Sequence, residues 1–276
     1  MSSFAPTIER AAAPAPPARA YIRIDGVAKT YRSARGSVEA LGAVSLDVGE
    51  REFVSIVGPS GCGKSTLLML VAGLYLASSG RITVGGKAVA GPVTDLGIVF
   101  QKDVLLDWRS VLDNVMLQPE IRRLPAAPYR ERALALLDQA GLAGFVDKYP
   151  SELSGGMRQR VSICRALVHD SPLLLMDEPF GALDAMTRDQ MNLDLLKIWE
   201  AGRKTALFIT HSISEAVFLS DRVVVMSPRP GRIQDILTID LPRPRTLALR
   251  ETAEFARYNR ELRQHFQAMG VLRENA

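Results

Sequence analysis

The run Gly58-Pro59-Ser60-Gly61-Cys62-Gly63-Lys64-Ser65-Thr66 has the residue types and spacing to hold a chain of phosphates: glycine, four residues, then Gly-Lys-Ser. Glycines at these places let backbone N–H groups approach phosphate oxygens that a Cβ would hold off, and they admit the φ > 0 such a loop visits. Lys64 supplies a mobile ammonium for the β- and γ-phosphates of a nucleotide, and Ser65 a hydroxyl ligand for Mg2+. Further along, an apolar run ends in Asp177-Glu178. There Asp177 can join the Mg2+ shell, directly or through a water, while Glu178 can polarise the water that attacks a γ-phosphate. A third stretch, Leu153-Ser154-Gly155-Gly156-Met157-Arg158-Gln159-Arg160, opens a helical pattern whose free N–H groups and dipole favour a second anion.

The elements that must position these residues are legible around them. Glu52 to Val57 reads as a short buried strand ahead of the glycine loop, and Ser65 to Ala72 as a helix behind it, stopped near Gly73. Pro172 to Pro179 has the apolar character of a central parallel strand. Thr205 to Thr210 and Arg222 to Met226 read as strands too, separated by His211 and a short helix; Arg188 to about Ala201 reads as a helix. Strands alternating with helices predict an α/β fold with a parallel sheet and ligands at the strand C-termini. Met157, Val161, Cys164 and Val168 share one face of the helix that Ser154 opens.

Before the phosphate loop, Tyr21 to Val27 and Val38 to Val48 alternate in hydropathy. They predict an antiparallel β-layer over the nucleotide side, with Gly49-Glu50 a hairpin-type turn into the next strand. Tyr31, between them, is either a surface aromatic or a platform for a purine. Gly80 to Lys87 reads as a hairpin and Leu96 to Phe100 as a buried strand that ends at Gln101. From there to about Pro150 the pattern turns helical, with helices over Val111–Met116 and Arg130–Ala140, the latter presenting Ala133, Leu136, Leu137 and Ala140 on one face. Past Ser227 a proline- and arginine-rich stretch to Arg245 reads as a small strand or loop layer, and Arg250 to Met269 as a terminal helix. Residues 1–20, rich in alanine and proline, read as a disordered tail.

With 276 residues, 47% hydrophobic and 23% charged, the composition is that of a globular chain able to bury a substantial core. The net charge of +4 argues no case for nucleic acid, although eight arginines face five acidic residues between Arg229 and Arg263. Cys62 and Cys164 have neither metal-ligand spacing nor a disulfide framework, which fits a reducing compartment. Cys62 sits within the phosphate loop, where neighbouring N–H groups are expected to favour its thiolate. Neither a secretory signal nor an apolar run of 18 residues is visible, so work at a membrane would require another subunit.

Two phosphate-binding helix starts in one chain that needs one nucleotide imply that two chains pair head to tail, each Ser154 helix closing on the γ-phosphate held by the other. Together these motifs resemble the ATP-binding subunit of an ABC transporter, over about Tyr21 to Arg245. The resemblance implies a P-loop ATPase core, with the antiparallel β-layer, a helical insertion over about 102–168 and a C-terminal helical extension over 246–276. It implies that Gly58–Thr66 is Walker A and Leu173–Asp177 Walker B. By the same resemblance Glu178 is the catalytic glutamate, Gln101 the Q-loop residue that senses Mg2+ and the attacking water, and His211 the switch histidine. It makes Ser154, Gly155 and Gly156 the signature that meets ATP across the dimer, Ala182-Leu183-Asp184 the D-loop, and Tyr31 the aromatic that stacks on adenine. Met157 departs from the glutamine commonest in the signature.

Leu105 to Val115 and Ser227-Pro228-Arg229-Pro230-Gly231-Arg232-Ile233 are similar to ATPases of the nitrate, sulfonate and taurine import family, with Asp107 where many carry proline. That similarity implies an ATP- and Mg2+-dependent homodimer bound to two permease subunits, and indirectly to a solute-binding protein. It places the chain peripherally on the cytoplasmic side of a bacterial inner membrane. Trp108 is then either a permease contact or a core tryptophan of the insertion. The competing class is a soluble ABC ATPase acting on nucleic acid or ribosomes; those usually carry a long coiled-coil insertion or two nucleotide domains, and this chain has one phosphate loop and a short insertion. A small-molecule kinase would leave Ser154 unexplained.

Overall fold

The computed structural model describes residues 20–272 except Arg35, Ala182 and Arg203. The expected tail therefore lies outside the described residues apart from Ala20, as does Ala182 of the D-loop stretch.

Two sheets form among the described residues. The first is antiparallel, in the order β2-β1-β4-β5, from β1 (Ala20–Ser33), β2 (Gly36–Gly49), β4 (Ser79–Val84) and β5 (Lys87–Ala88). Ile22 pairs with Val48 and Ile24 with Leu46, all four buried, while Arg23 and Asp25 face out. That period of two is what let this layer be read from sequence.

The second sheet has the order β10-β9-β3-β8-β7-β6, from β3 (Phe53–Val57), β6 (Leu96–Val99), β7 (Leu173–Asp177), β8 (Thr205–Ile209), β9 (Arg222–Met226) and β10 (Ile233–Thr238). It is parallel from β9 to β6, with β10 antiparallel on its edge. Every residue of β3, β7 and β8 is buried, as a strand covered on both faces requires. Helix α1 (Lys64–Val71) fills the space between the sheets, where Leu67, Leu68 and Val71 meet Ile22, Leu46 and Ile56 in one apolar core.

The other face of the parallel sheet carries a second core. It joins α5 (Gly155–Leu167), α6 (Ala185–Gly202), α7 (Ile213–Leu219) and α8 (Ala253–Ala268) to the insertion helices α2 (Val111–Val115) and α4 (Ala126–Gln139). Phe255, Tyr258, Leu262 and Phe266 of α8 are buried in this core, so the terminal helix is part of the packed body.

Some local expectations are corrected. Gly49-Glu50 does not turn a hairpin: β2 pairs with β1, whereas β3 pairs with β8 and β9, so the chain crosses from one sheet to the other there. The fully buried β3 could not pair beside a half-exposed strand without losing the cover on one face. Helix α4 begins at Ala126, because Pro128 sits in its first turn, where a missing N–H costs nothing. A short helix α3 (Leu117–Ile121) was not read at all, and α8 starts at Ala253, behind a Thr252 cap and a 3-10 turn over Leu247–Glu251.

Candidate nucleotide-binding and hydrolytic site

Strand β3 ends at Val57 and α1 begins at Lys64, so the glycine run forms the turn between them. Gly63 holds φ at 102°, and a Cβ there would lie 2.6 Å from Leu41 Cδ2 and 2.8 Å from the Ala40 carbonyl. Gly231 presses the β9–β10 turn against the loop from the far side; a Cβ on it would sit 1.9 Å from the Cys62 carbonyl. Lys64 is buried and its Nζ donates to the carbonyls of Gly58 and Pro59 at 2.9 and 3.1 Å, across the mouth of the loop. No side chain caps the start of α1 and no acid lies in its first turn, leaving its N–H groups to an external anion.

Tyr31 of β1 overlooks this loop. Its hydroxyl is 3.3 Å from Thr66 Oγ1, its ring meets Tyr75 edge-on at 6.1 Å, and Lys29 Nζ lies 5.2 Å from its centroid. A ring so supported, and 39% exposed, presents an open face.

The carboxylates arrive from β7. Ser65 Oγ donates to Asp177 Oδ1 at 3.1 Å, and burial raises the pKa of this carboxyl, with the Ser65 bond acting the other way. Glu178 follows in a left-handed conformation, φ 47°, anchored by its N–H to the Ile209 carbonyl at 2.9 Å. That backbone turns its side chain away from the strand and towards two neighbours. Gln101 Nε2, just past β6, donates to Glu178 Oε2 at 3.2 Å, and His211 Nδ1, just past β8, is 3.4 Å from the same oxygen. Three adjacent parallel strands thus deliver glutamine, glutamate and histidine to one point beyond their carboxyl ends.

The site suits a hard divalent cation shared with phosphates. Ser65 Oγ and the Asp177 carboxylate are oxygen donors placed side by side, and Mg2+ commonly takes one or two protein ligands, with phosphate and water oxygens completing six. Among the described residues no group of three or more His, Cys, Asp or Glu side chains forms a self-sufficient metal cage. Gln101 bonds to Glu178 rather than to the Ser65–Asp177 pair.

This geometry has known counterparts. Residues 41–181 match the family described as ABC transporter. The chain is 46% identical to a taurine import ATP-binding protein of Rhizobium johnstonii, over 92% of this chain and all of that protein. It is also 46% identical to an uncharacterised ABC transporter ATP-binding protein of Methanocaldococcus jannaschii, over 87% of this chain and 89% of that one. The chain belongs to the ABC transporter family. Among solved structures, an ATP-binding cassette captured as a dimer after hydrolysis, with ADP and Pi, superposes with a TM-score of 0.73 at 32% identity, over 80% of this chain and all of that one. The fold is therefore that of an ABC ATPase and the activity is ATP hydrolysis coupled to transport. Among the described residues no helix is long and apolar enough to cross a membrane.

In this ABC ATPase the residues expected to form the signature stand at the exposed start of α5. Ser154 is the N-cap, its Oγ accepting from Met157 N at 3.3 Å. Gly156 packs against Leu183, since a Cβ on it would lie 3.0 Å from Leu183 Cδ2. Asp184 caps α6 by accepting from Thr187 N and Thr187 Oγ1 at 3.0 and 2.6 Å, bonds that hold its pKa down.

Two expectations about side chains are settled by burial. Cys62 is 1% exposed, and burial raises the pKa of its thiol against the opposing pull of Lys64, so the expected thiolate is not favoured. Desolvation of the sulfur outweighs the loop's N–H groups. Trp108 is 74% exposed, which removes the core reading of it. Arg188 and Glu215, close to the His211 loop, went unread; the spacing Ser212-x-x-Glu215, a capping pattern, was the available signal.

Proposed function

We propose that this chain is the ATP-hydrolysing subunit of an importer, in which two copies close on ATP and drive a small anionic solute, of the nitrate, sulfonate or taurine kind, through two separate permease subunits. The observation that carries the hydrolytic part is the convergence of Gln101 and His211 on Glu178 beside the Ser65–Asp177 pair. The import part is supported by the 46% identity to a taurine import ATP-binding protein along that protein's whole length.

In this reading Tyr31 stacks on adenine, while Gly58–Thr66 and Lys64 hold the phosphates. Ser65 and Asp177 would hold Mg2+, with Gln101 a further candidate ligand, and the ion would neutralise phosphate charge. Glu178 orients and polarises the attacking water, and His211 fixes Glu178 and meets the γ-phosphate. Ser154, Gly155 and Gly156 of the second copy close on that phosphate through their exposed N–H groups, with Asp184 facing across the dimer. ATP thereby favours the closed dimer, and loss of the γ-phosphate reopens it.

The ATPase domain is assigned to 21–245, with the insertion at 102–168 and the extension at 246–276. An apolar groove is lined by Leu74, Ile98, Ile121 and by Phe100, which precedes Gln101 in the chain, and Trp108 further along the chain is exposed. This face suits a permease segment, which would hold the chain on the cytoplasmic side of a bacterial inner membrane and put it in indirect reach of a solute-binding protein.

Affinity capture from detergent-solubilised membranes of the native host tests the assignment. Recovery of a multi-spanning protein in about equal amount is expected. Reproducible recovery with ribosomal or other soluble partners alone, with ATP present, would favour a soluble ABC ATPase instead.

A further inference from the structure

A partly buried chain of polar groups that the chemistry above does not use adjoins the hydrolytic site. Arg188 of α6 donates through Nη2 to the Leu183 carbonyl at 2.8 Å, and its Nε lies 3.5 Å from Glu215 Oε1. Glu215, in the first turn of α7 and 5% exposed, accepts on its other oxygen from Thr210 Oγ1 at 2.5 Å. Thr210 Oγ1 in turn accepts from Ser212 N at 3.0 Å, and Ser212 Oγ accepts from Glu215 N at 3.3 Å. Both neighbours of His211 are therefore tied to Glu215.

The path closes on itself. Gly181 N donates to the Glu178 carbonyl at 3.1 Å, Leu183 is two residues further on, and Arg188 holds Leu183. From Arg188 the path passes through Glu215 to the two residues around His211, whose imidazole returns to Glu178 Oε2. A carboxylate this buried is costly unless partnered, and burial does push its pKa up while Thr210 and Arg188 pull it down. Among the described residues Arg188 Nε is buried without a hydrogen-bond partner, and its ion-pair contact is with Glu215.

We infer that Arg188 and Glu215 are positioning residues for ATP hydrolysis: their ion pair ties the Leu183-Asp184 segment to the loop that carries His211, and so sets the imidazole that orients Glu178. This rests on the roles given above to Glu178 and His211. In the closed dimer proposed above Leu183-Asp184 faces the second copy, and the pair then links the partner's arrival to His211 within the same chain.

Purified full-length protein is used for the test, with turnover and thermal unfolding measured for Glu215→Gln, Arg188→Gln and the two combined. Each is also made together with His211→Ala, and slow variants are followed with enzyme in excess over ATP. Either single substitution is expected to lower kcat about tenfold with KM for ATP changed by less than about twofold. The combined variant should be no worse than the poorer single one, as for residues acting as a unit. With His211 already replaced, neither should lower kcat further, whereas a purely structural role would cost the same in both backgrounds. A folded pair variant with kcat within about twofold of the parent, or an undiminished loss in the His211→Ala background, overturns the inference. Should Glu215→Gln not fold, Arg188→Gln, whose side chain is 30% exposed, carries the test. Failure of the underlying site reading is distinct: His211→Ala alone would then turn over normally.

Discussion

Ser65 Oγ donates to Asp177 Oδ1 at 3.1 Å, joining the start of α1 to the end of β7 across 112 residues of chain. The bond sets a hydroxyl and a buried carboxylate side by side where β3 and β7 deliver them, on the two flanks of β8. Asp177→Asn keeps the shape and removes the charge that a divalent cation needs. Turnover is expected to fall about 100-fold or more, and the Mg2+ concentration for half-maximal activity to rise; a Mg2+ titration of hydrolysis checks both. Ser65→Ala is expected to move both in the same direction.

Tyr31 offers a supported ring face beside Thr66. Tyr31→Ala should raise KM for ATP about tenfold and leave kcat nearly unchanged, in line with base stacking of about 1–3 kcal/mol. Tyr31→Phe, which loses only the hydroxyl, should stay close to the parent. Equal effects of the two would assign the interaction to the Thr66 contact instead.

Both thiols are buried: the pKa of Cys62 is raised, and that of Cys164 is pushed up to about 12, in each case chiefly by burial. Neither is expected to react within minutes with a disulfide reagent at pH 8, and both should react at once in denaturant. Rapid native labelling of Cys62 that ATP prevents would restore the thiolate expectation.

Helix α8 should behave as part of the ATPase body. Leu262 is fully buried in the larger core, so Leu262→Ala is expected to cost about 2–5 kcal/mol of stability, read as a lowered denaturant midpoint. A change under about 0.5 kcal/mol would make α8 a detachable appendage.

Much of this was legible in the sequence, for identifiable reasons. The phosphate loop, Asp177-Glu178 and the strand Arg222–Met226 are local patterns, and the structure places the first two at the carboxyl ends of β3 and β7. What escaped is non-local. Whether β3 turns back on β2 or leaves for another sheet depends on partners more than a hundred residues away, so Gly49-Glu50 looked like a hairpin. The Cys62 thiol escapes a sequence reading because its charge depends on burial against Gly58, which no spacing encodes. Arg188 and Glu215 carry ordinary helix-surface residue types, and only folding reveals that they meet. Ser212-x-x-Glu215 did signal a cap, yet Glu215 turns its carboxylate to Thr210 instead of closing a capping box on Ser212.

The most direct test of the central claim is the paired measurement of ATP turnover and mass in solution for Glu178→Gln, with and without ATP. If Glu178 activates water at a site completed by a second copy, this variant binds ATP, loses at least about 100-fold in kcat, and sediments as a stable dimer when ATP is present. Normal turnover, or a protein that binds ATP and stays monomeric, would contradict the account.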